Sequence, residues 1–300
     1  MKTIVVGSIN LDLVARVPKL PAPGETLTGS TFEMLAGGKG ANQALAARRA
    51  GADVTMVGAV GTDANGDVAL SNLRTAGVDL SNIAAVRETP TGVAMILVDD
   101  RSGENEIVVI PGANAHAGEP LRGVEFEHAR VLLLQMEVPT AVNKRALALA
   151  KSADLTTVLN VAPFSNAALD LAQVADVTIA NETEFDALAK LMDLEGSTRH
   201  ERAMAFAVRT GKTIVVTLGP DGAFAATMEG LVEASAPAIT AVDTVGAGDT
   251  FCGYFAIQLA SKSSLQTALE VACTAAALAC KSMGAQAAIP NRDDVERFGG

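Results

Sequence analysis

Aromatic residues and histidines are scarce in this sequence of 300 residues. It has no Trp, one Tyr, nine Phe and three His. Proteins that bind single-stranded nucleic acid stack the bases on aromatic side chains, which this composition hardly supplies. Binding along a duplex needs a basic face, whereas the formal net charge is −11 and no Lys/Arg cluster occurs. We therefore predict no nucleic-acid partner.

Cysteine is also sparse, and no apolar run reaches the roughly 18 residues of a membrane span. Cys252, Cys273 and Cys280 form no Cys-x-x-Cys pair and the histidines are scattered, which disfavours a zinc site. The Ala-rich surroundings of the three cysteines are typical of buried, reduced thiols. The apolar N-terminus soon meets Asn10 and Asp12, so it lacks the long core of a signal peptide. We expect a cytoplasmic protein without a membrane partner.

The order of the apolar runs predicts an α/β fold. From residue 131 onward strands and helices alternate, a pattern typical of a doubly wound, mostly parallel sheet flanked by helices. The predicted strands are 3–7, 54–60, 131–135, 157–160, 177–180 and 214–218. The predicted helices are 41–50, 67–76, 138–152 and 182–192, and the last third is interpreted as Ala-rich helix broken by glycines. We expect one domain, residues 1–300.

A small β-sheet lid is predicted in addition. Residues 93–98 and 106–110 have the composition of two strands joined by a polar turn, as in a hairpin. With the segment after Leu11 they would form a lid from about 11–36 and 91–112. The strand 93–98 is apolar on both faces, and a small sheet cannot hide two apolar faces from water. We therefore predict a homodimer joined through the lids.

The segment AVDTVGAGDTF at 241–251 indicates phosphoryl transfer. Gly246, Ala247 and Gly248 are small and precede an apolar helix, so their amides can form an anion hole at the helix N-terminus. Asp249 follows, where a carboxylate can accept the proton of an attacking hydroxyl. The helix dipole favours the ionised carboxylate, so the proton would be taken late. An Asp after a glycine turn is also an ordinary helix N-cap, which leaves the segment ambiguous by itself.

Two further segments supply polar groups. In AGGKGANQA at 36–44 the glycines allow close approach of a ligand, and Lys39 and Asn42 offer polar contacts, but neither a dinucleotide fingerprint nor a Walker loop is present. Asn10 and Asp12 follow the first predicted strand, and ligands of doubly wound sheets bind beyond strand ends. Such side chains suit sugar hydroxyls, although a simple Asx turn is the favoured interpretation of these two residues taken alone.

Six segments in order carry a family resemblance. They are N-x-D at 10–12, PGE at 23–25, GGKGANQA at 37–44, NETE at 181–184, TLG at 217–219 and DTVGAGD at 243–249. Together they resemble the ribokinases, within the larger ribokinase-like (PfkB) family of sugar and nucleoside kinases. GAGD is typical of the larger family. GGKGANQA, when N-x-D precedes it in the chain, is typical of the ribokinases. The resemblance runs from Ile4 to about Pro290.

The resemblance implies ATP-dependent phosphorylation of D-ribose to D-ribose 5-phosphate, with Asp249 as base. Residues implied to bind the sugar are Asn10, Asp12, Gly38, Lys39, Gly40, Asn42, Glu137 and Asp249. Residues implied at the transfer step are Gly246, Ala247, Gly248 and Asp249. Glu137 directly follows a predicted strand, where a ligand is expected in such a sheet.

The resemblance also implies ATP, Mg²⁺ and K⁺ as cofactors, and lids that cover each other's sites in a dimer. Residues implied to bind ATP are Asn181, Glu184, Thr217, Gly219, Gly222, Gly248 and Cys273, of which the first two face the phosphates and Mg²⁺, Glu184 through water. Residues implied to hold K⁺ are Asp243, Val245, Ala279, Ser282, Gly284 and Ala288. Cys273 stands where a His or Asn is expected beside the nucleobase, and Ala288 where a Ser is common.

Other functions stay open at this point. A kinase of the same family could act on fructose, a nucleoside or a sugar acid. The few aromatics disfavour a nucleoside, and Arg101 in the hairpin turn keeps a sugar acid open. The intact Asp249 disfavours a catalytically dead sugar-binding regulator. The missing G-x-G-x-x-G after the first strand disfavours a dehydrogenase. Asp63 is interpreted as a helix cap, and the charged run 292–297 as a solvated helix face.

Overall fold

The computed structural model describes residues 1–299, in which strands and helices alternate along most of the chain. The strands are β1 Lys2–Val6, β2 Asn10–Val17, β3 Thr31–Gly37, β4 Asp53–Gly61, β5 Asp79–Val86, β6 Gly92–Asp99, β7 Asn105–Ile110, β8 Val131–Leu134, β9 Thr156–Asn160, β10 Val177–Asn181, β11 Thr213–Thr217, β12 Ala223–Thr227 and β13 Gly230–Ala234. The helices are α1 Lys39–Arg49, α2 Ala64–Ala76, α3 Thr140–Ser152, α4 Ala168–Ala172, α5 Glu182–Leu191, α6 Arg199–Thr210, α7 Ala247–Ala260, α8 Leu265–Ala279 and α9 Arg292–Gly299.

Nine strands form the central sheet, in the order β13-β12-β11-β10-β9-β8-β1-β4-β5. The neighbouring strands from β11 to β5 pair in parallel, and the pairs β11–β12 and β12–β13 are antiparallel. Two apolar clusters cover the two faces: one contains residues of α1, α7 and α8, and the other residues of α3, α5 and α6. The predicted doubly wound, mostly parallel sheet flanked by helices is confirmed.

The central sheet reverses its strand order between β1 and β8. β4 and β5 extend the sheet on one side of β1, and β8 to β13 extend it on the other. In open α/β sheets, ligands bind beyond the carboxyl ends of the strands at such a reversal. A ligand site is therefore expected at the residues that follow β1 and β8.

A second sheet of four strands, in the order β3-β2-β6-β7, contains the predicted hairpin. β2 enters this sheet directly after β1 and pairs in parallel with β6, so that Asn10 is opposite Gly92. Asn10 and Asp12 thus lie in a strand, and the Asx-turn interpretation is wrong. Exposed apolar residues line this sheet: Phe32, Met34, Leu35, Met95, Ile107, Val108, Val109 and Ile110.

The last third of the chain contains more strand than its composition indicates. The Ala-rich segment AFAAT forms β12, which pairs with β11 and β13 and is almost entirely buried. Alanine has little preference for strands, so pairing and burial override its local tendency here. Pattern reasoning also missed β5, in which every residue is exposed or half-buried, so that it lacks the apolar run of a buried strand.

Asp63 caps α2, as predicted, because its Oδ1 accepts from Gly66 N at 3.1 Å. The same carboxylate also holds the start of β6, accepting from Thr91 Oγ1 at 2.6 Å and from Thr91 N at 2.9 Å. One side chain therefore ties the small sheet to the central one. In residues 1–299, no helix is both long and apolar enough to cross a membrane.

Candidate active site

The predicted sugar residues gather where α1 begins beside the ends of β1 and β8. Glu137 Oε2 accepts from Ser8 Oγ at 2.6 Å and from Lys39 N at 3.0 Å. Ser8 Oγ in turn accepts from Gly40 N at 3.2 Å. Glycine is required here because a Cβ on Gly40 would lie 2.5 Å from Ser8 N. The close backbone approach positions Glu137 at the mouth of the sheet.

Asp249 lies in the first turn of α7 and is 7% exposed. Its Oδ2 accepts from Asn42 Nδ2 and its Oδ1 from Gln43 Nε2, each at 2.9 Å. The residue that caps α7 is Gly246, at φ 79°, and no side-chain cap of this helix occurs in the described chain. The interpretation of Asp249 as an ordinary N-cap is therefore wrong, and its carboxylate faces the residues of α1.

The amides of the predicted anion hole are not all free. Ala247 N donates to Thr244 O at 3.2 Å. The first N–H groups of a helix have no intrahelical acceptor, which leaves those of Gly248 and Asp249 for an external anion. Of the three predicted amides, that of Ala247 is therefore already occupied by a backbone acceptor.

Charged side chains crowd this edge of the sheet. Burial raises the pKa of Asp12 to about 7, and the charges of Glu137 and Asp249 add to the rise. The charge of Asp249 raises the pKa of Lys39, against the opposing effect of burial. Burial also raises the pKa of Glu184. One lysine therefore stands among four carboxylates. Within residues 1–299, no group of three or more His, Cys, Asp or Glu side chains is arranged to hold a metal ion.

Asn10 is 2% exposed and is oriented by Asn114, a residue that the sequence patterns did not single out. Asn114 Nδ2 donates to Asn10 Oδ1 at 2.7 Å, and Asn114 Oδ1 accepts from Ile9 N at 2.8 Å. The amide oxygen of Asn10 keeps a second lone pair, so both this oxygen and the NH₂ group can contact a ligand.

The predicted nucleotide residues lie at the ends of β10 and β11. Asn181 is opposite Thr217 in the sheet, and it forms a capping box with Glu184 at the start of α5. Glu184 uses Oε2 for this box, so its second oxygen stays available. Gly219 and Gly222 have positive φ in the turn after β11, and a Cβ on Gly222 would lie 2.0 Å from Ala234 O.

Cys273 presents almost no surface to a nucleotide. It is 3% exposed in α8, and its Sγ lies 3.9 Å from Ala234 O. Burial raises the pKa of its thiol to about 12, so the side chain is a neutral part of the core. Its role toward the nucleobase stays a prediction, without geometric support.

Asp243 joins two of the segments implied to hold K⁺. Its Oδ1 accepts from Val245 N at 3.0 Å and its Oδ2 from Gly284 N at 2.8 Å. The carbonyls of Ala279 and Gly284 each accept one backbone hydrogen bond, from Ser282 N and Ala288 N. A carbonyl oxygen has a second lone pair, so both can still coordinate an ion. Asp243 by itself already ties its loop to the Gly284 turn.

Sequence reasoning missed four polar residues that hold these side chains: Ser8, Gln43, Asn114 and Asn160. Ser8 could have been found, since it directly follows β1 at the strand-order reversal. Gln43 stands next to Asn42 in the glycine-rich segment, but nothing in a helical sequence shows which neighbour faces a distant carboxylate. Asn160 ends a predicted strand, so the same rule could have indicated it, whereas Asn114 carries no local signal.

The structure has the features of a carbohydrate kinase, and the relatives of the chain agree. The model of the pfkB family carbohydrate kinases matches residues 2–292. The chain belongs to this family of carbohydrate kinases. Among curated proteins, the ribokinase of Haemophilus influenzae is 36% identical over 297 residues, 98% of this chain and 97% of that protein. The ribokinase of Bacillus subtilis is 36% identical, with 98% of each chain covered.

Solved structures agree with both the fold and the family. A ribokinase of Thermotoga maritima superposes with a TM-score of 0.88 at 31% identity, covering 99% of this chain and 98% of that one. The ribokinase of Arabidopsis thaliana, complexed with ribose and ATP, has a TM-score of 0.86 at 31% identity, covering 99% of this chain and 98% of that one. The predicted resemblance to the ribokinases is thereby confirmed.

Proposed function

We propose that this protein transfers the γ-phosphoryl group of ATP to D-ribose, producing ADP and D-ribose 5-phosphate. The observation that carries the proposal is the buried carboxylate of Asp249, held by two amide donors from α1 at the start of α7. It stands among Asn10, Asp12, Lys39 and Glu137, which offer donors and acceptors to sugar hydroxyls. The relatives named ribokinase, and the plant enzyme complexed with ribose and ATP, support the same substrates.

In this mechanism Asp249 accepts the proton of the attacking hydroxyl. Two amide donors from α1 hold both oxygens of this carboxylate in place. The N–H groups of Gly248 and Asp249 stabilise the charge of the phosphoryl group during in-line transfer. Mg²⁺, bound with ATP, would neutralise phosphate charge, and the free oxygen of Glu184 fits a contact through water. Asn181, Thr217 and the glycines after β11 would lie along the nucleotide.

The four-stranded sheet would serve as the lid of a single domain, residues 1–300, with lid segments at about 11–36 and 91–112. Its closure would exclude water that otherwise hydrolyses ATP. We also place the protein in the cytoplasm, where its three free thiols would stay reduced.

A coupled ADP-release assay across pentoses, hexoses, nucleosides and sugar acids tests the substrate. We expect D-ribose to have the highest kcat/KM, because a site built to bind hydroxyls rejects analogues that lack them. A higher kcat/KM for a nucleoside or a sugar acid would exclude ribose as the preferred substrate but would leave the kinase activity in place. The position of Arg101 weakens the sugar-acid alternative. Arg101 lies in the turn after Asp99, and Asp99 is seven strand residues, or about 23 Å, from Gly92, which pairs with Asn10.

Sugar binding should depend on pH through Asp12. Its pKa of about 7 means that it is neutral below and charged above this pH, and hydroxyl donors favour the charged form. We expect KM for the sugar to fall about tenfold from pH 6 to pH 8 at saturating ATP, as a one-proton step centred on pH 7 predicts. Asp12→Asn should raise KM and flatten this dependence. A steep profile that survives in Asp12→Asn would assign it to another group.

Potassium should activate the enzyme more than sodium. A cation held by Asp243 and by the carbonyls of Val245, Ala279, Ser282 and Gly284 would stiffen the loop that precedes α7, and Ala288 leaves room for a water ligand. A cage of carbonyls suits a larger ion that sheds its water easily. Rates are to be compared in potassium, sodium and a bulky organic cation at matched ionic strength. Equal rates in all three would contradict the site.

We propose a homodimer through the lids. The pairing of β6 with β7 and with β2 assigns Ile107, Ile96 and Val14 to the same face as Asp12, and Ile107 is 53% exposed. Light scattering at micromolar concentration should give twice the chain mass for the wild type and one chain mass for Ile107→Asp. Val208→Asp is the matched control, since Val208 in α6 is 63% exposed. A monomeric wild type would contradict this assembly.

A further inference from the structure

We propose that Gln43 is a positioning residue for the base of the phosphoryl transfer. The inference rests on the proposed role of Asp249 and adds a residue that the family resemblance did not imply. Gln43 is 0% exposed, its Nε2 donates to Asp249 Oδ1 at 2.9 Å, and its Oε1 accepts from Gln135 Nε2 at 2.7 Å. It therefore connects the carboxylate to the buried end of β8 without reaching the sugar.

The orientation of this glutamine is determined by the carboxylate. An ionised Asp249 can only accept, so the NH₂ group of Gln43 must face it and the oxygen must face Gln135. Gln135 then has to donate, and its own oxygen is left without a hydrogen-bond partner among residues 1–299. An unpartnered buried acceptor costs stability. The hydrogen bonds from Gln135 to Gln43 and from Gln43 to Asp249 therefore hold the carboxylate in place, and they leave one buried oxygen of the core unpaired.

Two donors from neighbouring residues hold the two oxygens of Asp249. Asn42 Nδ2 binds Oδ2 and Gln43 Nε2 binds Oδ1, so the plane of the carboxylate cannot rotate without breaking one bond. Asn42 is among the residues implied to touch the sugar, whereas Gln43 is enclosed. Removing Asn42 should affect both binding and catalysis, while removing Gln43 should affect catalysis alone.

The packing of α1 against α7 is built for this contact. A Cβ on Gly253 would lie 2.5 Å from Ala46 Cβ and 2.9 Å from Gln43 O. Glycine at this position allows the two helices to approach closely enough for a glutamine on α1 to reach a carboxylate on α7. Asn160 adds a second acceptor for Gln43 Nε2, at 3.2 Å, which keeps the amide in place when no substrate is bound.

Two variants test the proposal. Gln43→Met keeps the volume but removes both the donor to Asp249 and the acceptor for Gln135. We expect kcat to fall about 10²-fold, the effect of misplacing a reacting group, with both KM values within about threefold of the wild type. Gln43→Glu keeps the shape and an oxygen for Gln135 but places a second carboxylate beside Asp249. Two such groups share a proton, so the acid limb of the kcat–pH profile should move to higher pH.

Neither Gln43 variant changes the other ionisable side chains near Asp249, which are Asp12, Lys39, Glu184 and Cys252. Gln173→Glu is the matched control, because Gln173 is exposed and donates to Leu169 O, and its kinetics should equal those of the wild type. Thermal unfolding and ATP binding report whether each variant is folded.

The outcomes separate this inference from the proposed function. A wild type that phosphorylates no sugar overturns the function. With an active wild type, unchanged kcat and pH profile in both Gln43 variants overturn the positioning role alone. Parallel losses of kcat, of both binding affinities and of the thermal midpoint would also overturn it, since a merely structural residue behaves in that way. A folded Gln43→Met with low kcat and normal KM, together with a shifted profile in Gln43→Glu, supports it.

Discussion

Asp249→Asn is expected to lower kcat by about 10²–10⁴-fold, the usual contribution of a general base, while sugar and ATP still bind. The carboxamide cannot take the proton of the attacking hydroxyl. It also presents an NH₂ group to one of the two amide donors, Asn42 or Gln43, so its plane is held less well than that of the carboxylate. Steady-state kinetics and calorimetric binding of each substrate measure the two effects separately.

Asp170→Asn is a suitable control for this substitution. Asp170 lies in α4, is exposed and forms a salt bridge with Lys144 at 2.7 Å. An exposed ion pair contributes little to stability, so both kcat and the thermal midpoint should remain close to those of the wild type. Wild-type turnover in Asp249→Asn would exclude Asp249 as the base.

Gly246→Ala is expected to lower kcat by about 10²-fold, because the start of α7 would shift relative to the reacting groups. Gly246 has φ 79°, a left-handed conformation that costs an L-residue about 1–2 kcal/mol. A Cβ there would also lie 2.8 Å from Ala285 Cα. The loop must move away from the Gly284 turn, and the amides of Gly248 and Asp249 move with it.

The control for this change is Gly211→Ala. Gly211 ends α6 at φ 67°, and among described atoms none lies within 4 Å of a Cβ built on it. The Gly211→Ala substitution therefore introduces the same backbone strain, but it causes no clash and lies away from the site. Both variants should lose about 1–2 kcal/mol of unfolding free energy through that strain, but only Gly246→Ala should lose kcat. Equal kcat in the two variants would mean that the loop position does not matter for transfer.

The central strands and the motifs could be predicted because their signals are local. Buried parallel strands are continuous apolar runs, and β8, β10 and β11 were found by this property within one residue of their ends. The segments that begin α1 and α7 have distinctive glycines, so the resemblance identified them without knowledge of the fold. The β12 strand was missed because alanine has no strand signal without its partner β11.

The family, the mostly parallel sheet and Asp249 as a candidate base could all be inferred from the sequence, since each depends on residues adjacent in the chain. How these residues are held depends on the folded chain. Asn10 and Asn114 are 104 positions apart, and Gln43 and Asp249 are 206 positions apart. Only the tertiary structure decided that Asp12 is buried beside other carboxylates, which raises its pKa to about 7. Hydrogen bonds and desolvation depend on distance in space, and neighbours in space that are distant in the chain leave no pattern in a single sequence.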